Sequence, residues 1–118
     1  MELIGTLVDA PAYTIGEHVA LAEIQQRLLD GAPAVAVVDS SAALCGVITS
    51  TDLLAARADW CAADAMSSVI SVRANTPIDE VADLMARERA PHVVVTDPSG
   101  QIVGIVTARA IARHRASR

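Results

Sequence analysis

Phenylalanine and lysine are absent from this 118-residue chain, and Tyr13 and Trp60 are its only aromatic residues. Any core must therefore be aliphatic, and a hydrophobic content of 53% with positive mean hydropathy supplies enough material for one. No apolar run approaches the roughly 18 residues of a membrane span. Met1, Glu2 and Leu3 lack the basic start of a secretory signal. A soluble cytoplasmic protein with no membrane partner is the expectation. The two cysteines, Cys45 and Cys61, are too far apart for a C-x-x-C metal signature, and His18, His92 and His114 are scattered. Cys45 lies in an apolar run and reads as a buried small hydrophobe. No nucleophile–base pair, glycine-rich phosphate loop or ligand cluster marks an enzyme, so none is expected.

A net charge of −5 argues against a general nucleic-acid binder. The exception is local, because Arg109, Arg113, Arg115 and Arg118 crowd the last ten positions. Such a tail can contact nucleic acid. The favoured reading is a solvated helix end whose cations suit the C-terminal dipole.

What the chain does have is an internal repeat, the feature to seek before any other. Asp39, Gly46 and Thr49 recur 58 positions later as Asp97, Gly104 and Thr107, each inside the same apolar pattern. Upstream the offset is 57, matching Ile15 with Val72, Leu21 with Ile78, Glu23 with Glu80, Ile24 with Val81 and Leu28 with Met85. A half of about 57 residues buries little apolar surface by itself, so the halves are expected to pack together.

The second copy is the easier to read. Thr76 suits an N-cap, Pro77 the first helical position, and Asp79 with Glu80 the first turn. Ile78, Val81, Ala82 and Met85 then follow one-sided helical spacing. Residues 92–95 are β-branched and strand-like, Asp97-Pro98-Ser99-Gly100 is a turn, and a second strand leads through Thr107 into a helix. A short strand over residues 70–73 opens the copy. Residues 53–66, alanine-rich and free of Gly and Pro, are expected to be mostly helical, with Trp60 packed.

The run Gly46-Val47-Ile48-Thr49-Ser50-Thr51-Asp52, after an apolar strand, Asp39 and a turn, resembles the signature of cystathionine-β-synthase (CBS) domains. Asp64-Ala65-Met66 resembles the opening of a second copy. The likeness implies an α+β fold, an α/β-type sandwich of two pseudo-symmetric CBS repeats packed sheet to sheet. Each repeat would run strand–helix–strand–strand–helix. The whole of residues 1–118 would be one CBS-pair module, with repeats at 7–59 and 64–114. It also implies a homodimer that binds adenosine derivatives in clefts between repeats and regulates an unidentified effector protein. No cofactor is required; AMP, ADP, ATP and S-adenosylmethionine are the ligand candidates.

The site chemistry has its own logic. Gly46 lets a flat ring approach the strand backbone. Thr49, Ser50 and Thr51 offer hydroxyls and the N–H groups of a helix start. Asp52 can accept both hydroxyls of a ribose, the role its counterpart holds in the family. Thr49-x-x-Asp52 is also a capping-box pattern. In the second copy Ala110 replaces Asp52, leaving that site in doubt, with Arg109 beside it. The family often places a phosphate-binding cation at the end of the opposite repeat's first helix, where this chain has Arg89; the first-repeat counterpart is Gly31. One cleft would have Asp52 and Arg89, the other Ala110 and Gly31.

Overall fold

The computed structural model describes residues 1–8 and 12–118. It divides into two compact units, Ala12–Ser68 and the chain's opening residues joined to Val69–Arg118.

In the first unit, β1 (Thr14–Gly16) pairs in parallel with β2 (Val35–Val38), and β2 pairs antiparallel with β3 (Leu44–Ile48). Parallel neighbours need a crossover, and α1 (Leu21–Leu29) supplies it. The helix buries Ile24 against Ile15, Val35, Val37 and Ile48, an aliphatic core with Trp60 packed at its margin. After β3 come α2 (Ser50–Ala55) and α3 (Ala62–Ala65).

Residues 53–66 are thus not mostly helical. Ala56 is extended at φ −77° and ψ 149°, and a turn from Arg57 to Trp60 separates the two short helices. Helix propensity loses here to main-chain docking. The Ala62 amide donates to Val19 O (2.9 Å), and Ala63 to Glu17 O (2.8 Å). Neither bond is open to a continuous helix.

The second unit repeats the plan with β4 (Ile70–Arg73), α4 (Ile78–Glu88), β5 (His92–Thr96), β6 (Ile102–Thr107) and α5 (Ala108–Ala116). Again the first strand pairs in parallel with the second, and the second antiparallel with the third. Ile78, Val81, Met85, Val93, Val95, Val106 and Ile111 form its core. The expected strand–helix–strand–strand–helix order is therefore found in each half.

Both hairpins close on an aspartate. Asp39 Oδ1 accepts from the amide and hydroxyl of Ser41 (2.8 and 2.7 Å) and from the amide of Ala43 (3.1 Å). Asp97 Oδ1 accepts from the amide and hydroxyl of Ser99 (3.0 and 2.6 Å) and from the amide of Gln101 (2.9 Å). These bonds favour the charged form and hold both carboxyls below their ordinary value.

The opening segment of each sequence copy docks on the other copy's core. Ile4, in a 3-10 turn over Ile4–Leu7, is fully buried in the core with Val81 and Val93. Ile4 N–H donates to Thr76 O (2.8 Å) and Gly5 N–H to Ala74 O (2.9 Å). These are the counterparts of the Ala62 and Ala63 bonds, 58 positions earlier on the donors. The same contact corrects the start of α4. Pro77, not Thr76, is the N-cap, with no side-chain cap, and the Ile78 amide instead donates to Glu2 O (2.9 Å). Cys45 is another departure, half-buried at the edge of the core instead of within it.

Candidate nucleotide site

Gly46, Val47 and Ile48 are buried on β3, which ends at Ile48, just before Thr49. Thr49 is the N-cap of α2 in extended conformation, while Ser50 and Thr51 are exposed in the first turn. The capping box is complete. Asp52 N–H donates to Thr49 Oγ1 (3.4 Å), and the Thr49 amide returns a bond to Asp52 Oδ2 (2.8 Å). The Thr49 hydroxyl also donates to Oδ2 (3.1 Å). Asp52 as a whole is half-buried.

A residue outside the motif completes this cluster. The Ser67 hydroxyl donates to Asp52 Oδ1. Ser67 is held there by its backbone, since Val47 N–H donates to Ser67 O (3.0 Å) and Ser67 N–H to Val47 O (2.9 Å). That pairing explains Gly46. A Cβ on Gly46 would lie 2.6 Å from Ser67 O and 3.1 Å from Met66 Sδ. The space left by the missing side chain is filled by residues 66–67 of the chain itself, so chain packing is what requires the glycine. The sequence carried one signal for this. Asp64-Ala65-Met66 marks the segment, and Ser67 follows it directly.

In the second unit Thr107 caps α5 by accepting from Ala110 N–H (3.0 Å). Ala110 has no carboxylate to return, so only half of the box exists. The first-unit box therefore has an acidic acceptor that its counterpart lacks.

Arg89 belongs to the second unit, as the C-cap of α4. Its backbone is left-handed, φ 52° and ψ 40°, and its exposed side chain borders an apolar groove with Met85, Ala86, Ala112 and Arg115. Among the described residues its guanidinium makes no ion pair. Two of the tail arginines differ in this respect. Arg118 pairs with Glu2 (3.3 Å) and Asp79 (3.1 Å), and Arg115 with Asp79 (3.6 Å). His114 meets Glu2 at 2.6 Å. No helix among the described residues is long and apolar enough to cross a membrane.

Comparison with known proteins agrees with the fold. The CBS domain pair of protein MJ0100, solved with 5′-methylthioadenosine and S-adenosyl-L-methionine, superposes with a TM-score of 0.87 at 27% identity. The match covers 99% of this chain and 98% of that one. The cytosolic domain of the Mg2+ channel MgtE, solved with ATP, gives a TM-score of 0.80 at 28% identity over 96% of this chain and 48% of that one. Inosine-5′-monophosphate dehydrogenase of Nitrosopumilus maritimus (strain SCM1) is 33% identical over 79 residues, 66% of this chain. The chain spans only 17% of that relative's length. The CBS domain model matches twice, at residues 4–59 and 62–117, and this chain belongs to the CBS domain family.

Proposed function

We propose that this chain is a regulatory module that binds one adenine nucleotide through the Asp52 site. The observation that carries the reading is the inequality of the two caps. Asp52 places a carboxylate in the first turn of α2, where Ala110 offers only a methyl group in the first turn of α5. A ribose diol needs such an acceptor, and the relatives at 27% and 28% identity were solved with an adenosyl compound and with ATP. Thr49, Ser50 and Thr51 supply hydroxyls beside Asp52, while Gly46, Val47 and Ile48, buried on β3, hold the start of α2 in place. Arg89 is the phosphate contact in this reading, since arginine's planar fork matches phosphate oxygens and its side chain has no ion-pair partner among the described residues. A nucleotide is favoured over S-adenosylmethionine for that reason. The output in this reading passes to an unidentified effector protein in the cytoplasm, and its size is set by how differently the ligand binds two states of the module.

Calorimetry with AMP, ADP, ATP, NAD and S-adenosylmethionine tests the assignment. Wild type is expected to bind an adenine nucleotide at one per chain, and Asp52→Ala to weaken it at least tenfold. An Asp52→Ala protein that binds as tightly as wild type removes the ribose contact from the proposal.

A second reading has its own support. Leu29 and Leu54 are 73% and 88% exposed, and an apolar groove of about 350 Å3 runs between α4 and α5. Helix faces of this kind suit a homodimer whose role is interaction alone. That reading expects a dimer by light scattering and no thermal shift with any nucleotide. Nucleic-acid contact through the tail is the weakest alternative, because Arg115 and Arg118 are already engaged with Asp79 and Glu2.

A further inference from the structure

A carboxylate has about four lone-pair positions for hydrogen bonds. Asp52 Oδ2 already accepts two donors, the amide and the hydroxyl of Thr49. Among the described residues Oδ1 accepts one, the hydroxyl of Ser67, which leaves a single acceptor position on Oδ1. A ribose diol brings two donors. Asp52 therefore cannot receive both ribose hydroxyls while the Thr49 and Ser67 hydroxyls both remain donated to it.

Ser67 resolves the shortfall. Its Oγ donates to Oδ1 and still has lone pairs of its own, placed one hydrogen bond away from the vacant position on Oδ1. Vicinal ribose hydroxyls have a similar spacing. The residue is exposed, and the two backbone bonds to Val47 fix where its side chain starts. We infer that Ser67 is a second ribose-binding residue, and that Asp52 Oδ1 and Ser67 Oγ together receive the two hydroxyls, one each. This rests on the nucleotide reading of the Asp52 site. Its consequence is specificity: the site discriminates the full diol from either deoxy sugar while every existing bond to Asp52 stays in place. The second unit cannot copy the arrangement, since Ala110 provides no carboxylate for a serine to bridge.

The test is calorimetry with AMP and ATP, each beside its 2′-deoxy and 3′-deoxy form, on wild type, Ser67→Ala and Ser67→Thr. Ser67→Ala is expected to lose about fivefold in affinity for the ribonucleotide, the usual worth of one hydrogen bond. It should lose the same factor against one deoxy form and nothing against the other, the one that lacks the hydroxyl Ser67 receives. Ser67→Thr retains the acceptor and should stay within about threefold of wild type. Melting temperatures recorded alongside identify a folding defect, which would scale all three sugars alike. Equal or tighter binding of AMP or ATP by Ser67→Ala, or the same loss with all three sugars, overturns the Ser67 assignment and leaves the nucleotide site standing. Wild-type protein that binds neither AMP nor ATP overturns the nucleotide reading, and this inference with it.

Discussion

Arg89 occupies in the second unit the place that Gly31 occupies in the first. Both residues are left-handed, at φ 52° and φ 103°, just where α4 and α1 end. The bonds that close the two helices correspond as well. Ala90 N–H donates to Met85 O (2.9 Å), and Ala32 N–H to Arg27 O (3.3 Å). Glycine is the residue that adopts this conformation without steric cost. An arginine there costs about 1–2 kcal/mol. Strain of this kind is a reason to look for function in the side chain, not in the backbone.

Arg89→Gly should therefore separate stability from binding. Relief of the left-handed strain, less the extra freedom glycine gives the unfolded chain, leaves a gain of roughly 0.5–1 kcal/mol. The melting temperature should rise by about 2–4 °C. Affinity for AMP or ATP should fall at least tenfold, while adenosine, which has no phosphate, should bind as it does to wild type. Arg89→Ala, which keeps the strain and loses the charge, should lose the same affinity without becoming more stable. Loss of adenosine binding in either variant would show that Arg89 supports the fold of the site and not the phosphate.

The hairpins offer a second paired comparison. Ala42 has φ 66°, and Gly100, at the matching place 58 residues on, has φ 88°. Ala42 N–H donates to Asp39 O and Gly100 N–H to Asp97 O, at 3.0 and 2.9 Å, so the turns are alike. Ala42→Gly is expected to stabilise by up to about 1 kcal/mol for the reason given for Arg89. Thermal unfolding measures it directly, and nucleotide affinity should not change. A drop in melting temperature would mean that unfolded-state entropy outweighs the turn strain.

Asp39 and Asp97 should shape the acid limb of stability. Side-chain bonds from Ser41 and Ser99, followed by backbone amides, hold both carboxyls below the ordinary value of 3.8. The folded state then binds protons less readily than the unfolded state. Their contribution is present above the unfolded value and is lost as pH falls through the lowered folded values. The Asp39→Asn and Asp97→Asn double variant keeps an oxygen acceptor in each turn but cannot titrate. Its stability should fall less steeply than that of wild type below pH 3.8 in denaturant titrations. Identical slopes would exclude the two turns as the acid-sensitive elements.

The repeat made most of this fold readable. Apolar spacing places the buried side of α4 through Ile78, Val81 and Met85, and the shared register of Gly46 and Gly104 places the third strand of each half. Local pattern fails where distant main chain decides. Nothing in residues 2–5 announces that Glu2 O caps α4 or that Ile4 enters the second unit's core. Alanine content favours a helix over residues 53–66, yet bonds to Val19 O and Glu17 O hold the segment otherwise. Asp52 stands out as an acceptor because its motif is local. Ser67 does not, because its meaning comes from a partner 15 residues away.

Gly46 is the position where that long-range contact is most exposed to test. A Cβ there would sit 2.6 Å from Ser67 O and 3.2 Å from Met66 Cγ, and the first of these is backbone that cannot rotate aside. Gly46→Ala must therefore push residues 66–67 away from β3, straining the bonds between Val47 and Ser67. Overpacking of this kind costs about 1–3 kcal/mol. Gly16→Ala is the control, since its added Cβ would meet only Val19 Cγ2 at an ordinary 3.8 Å. The control should unfold close to wild type, and Gly46→Ala several degrees lower. Because Ser67 moves with its backbone, Gly46→Ala should also weaken AMP or ATP by at least the factor seen for Ser67→Ala. A destabilised Gly46→Ala protein with wild-type affinity would detach the glycine's packing role from the ribose site.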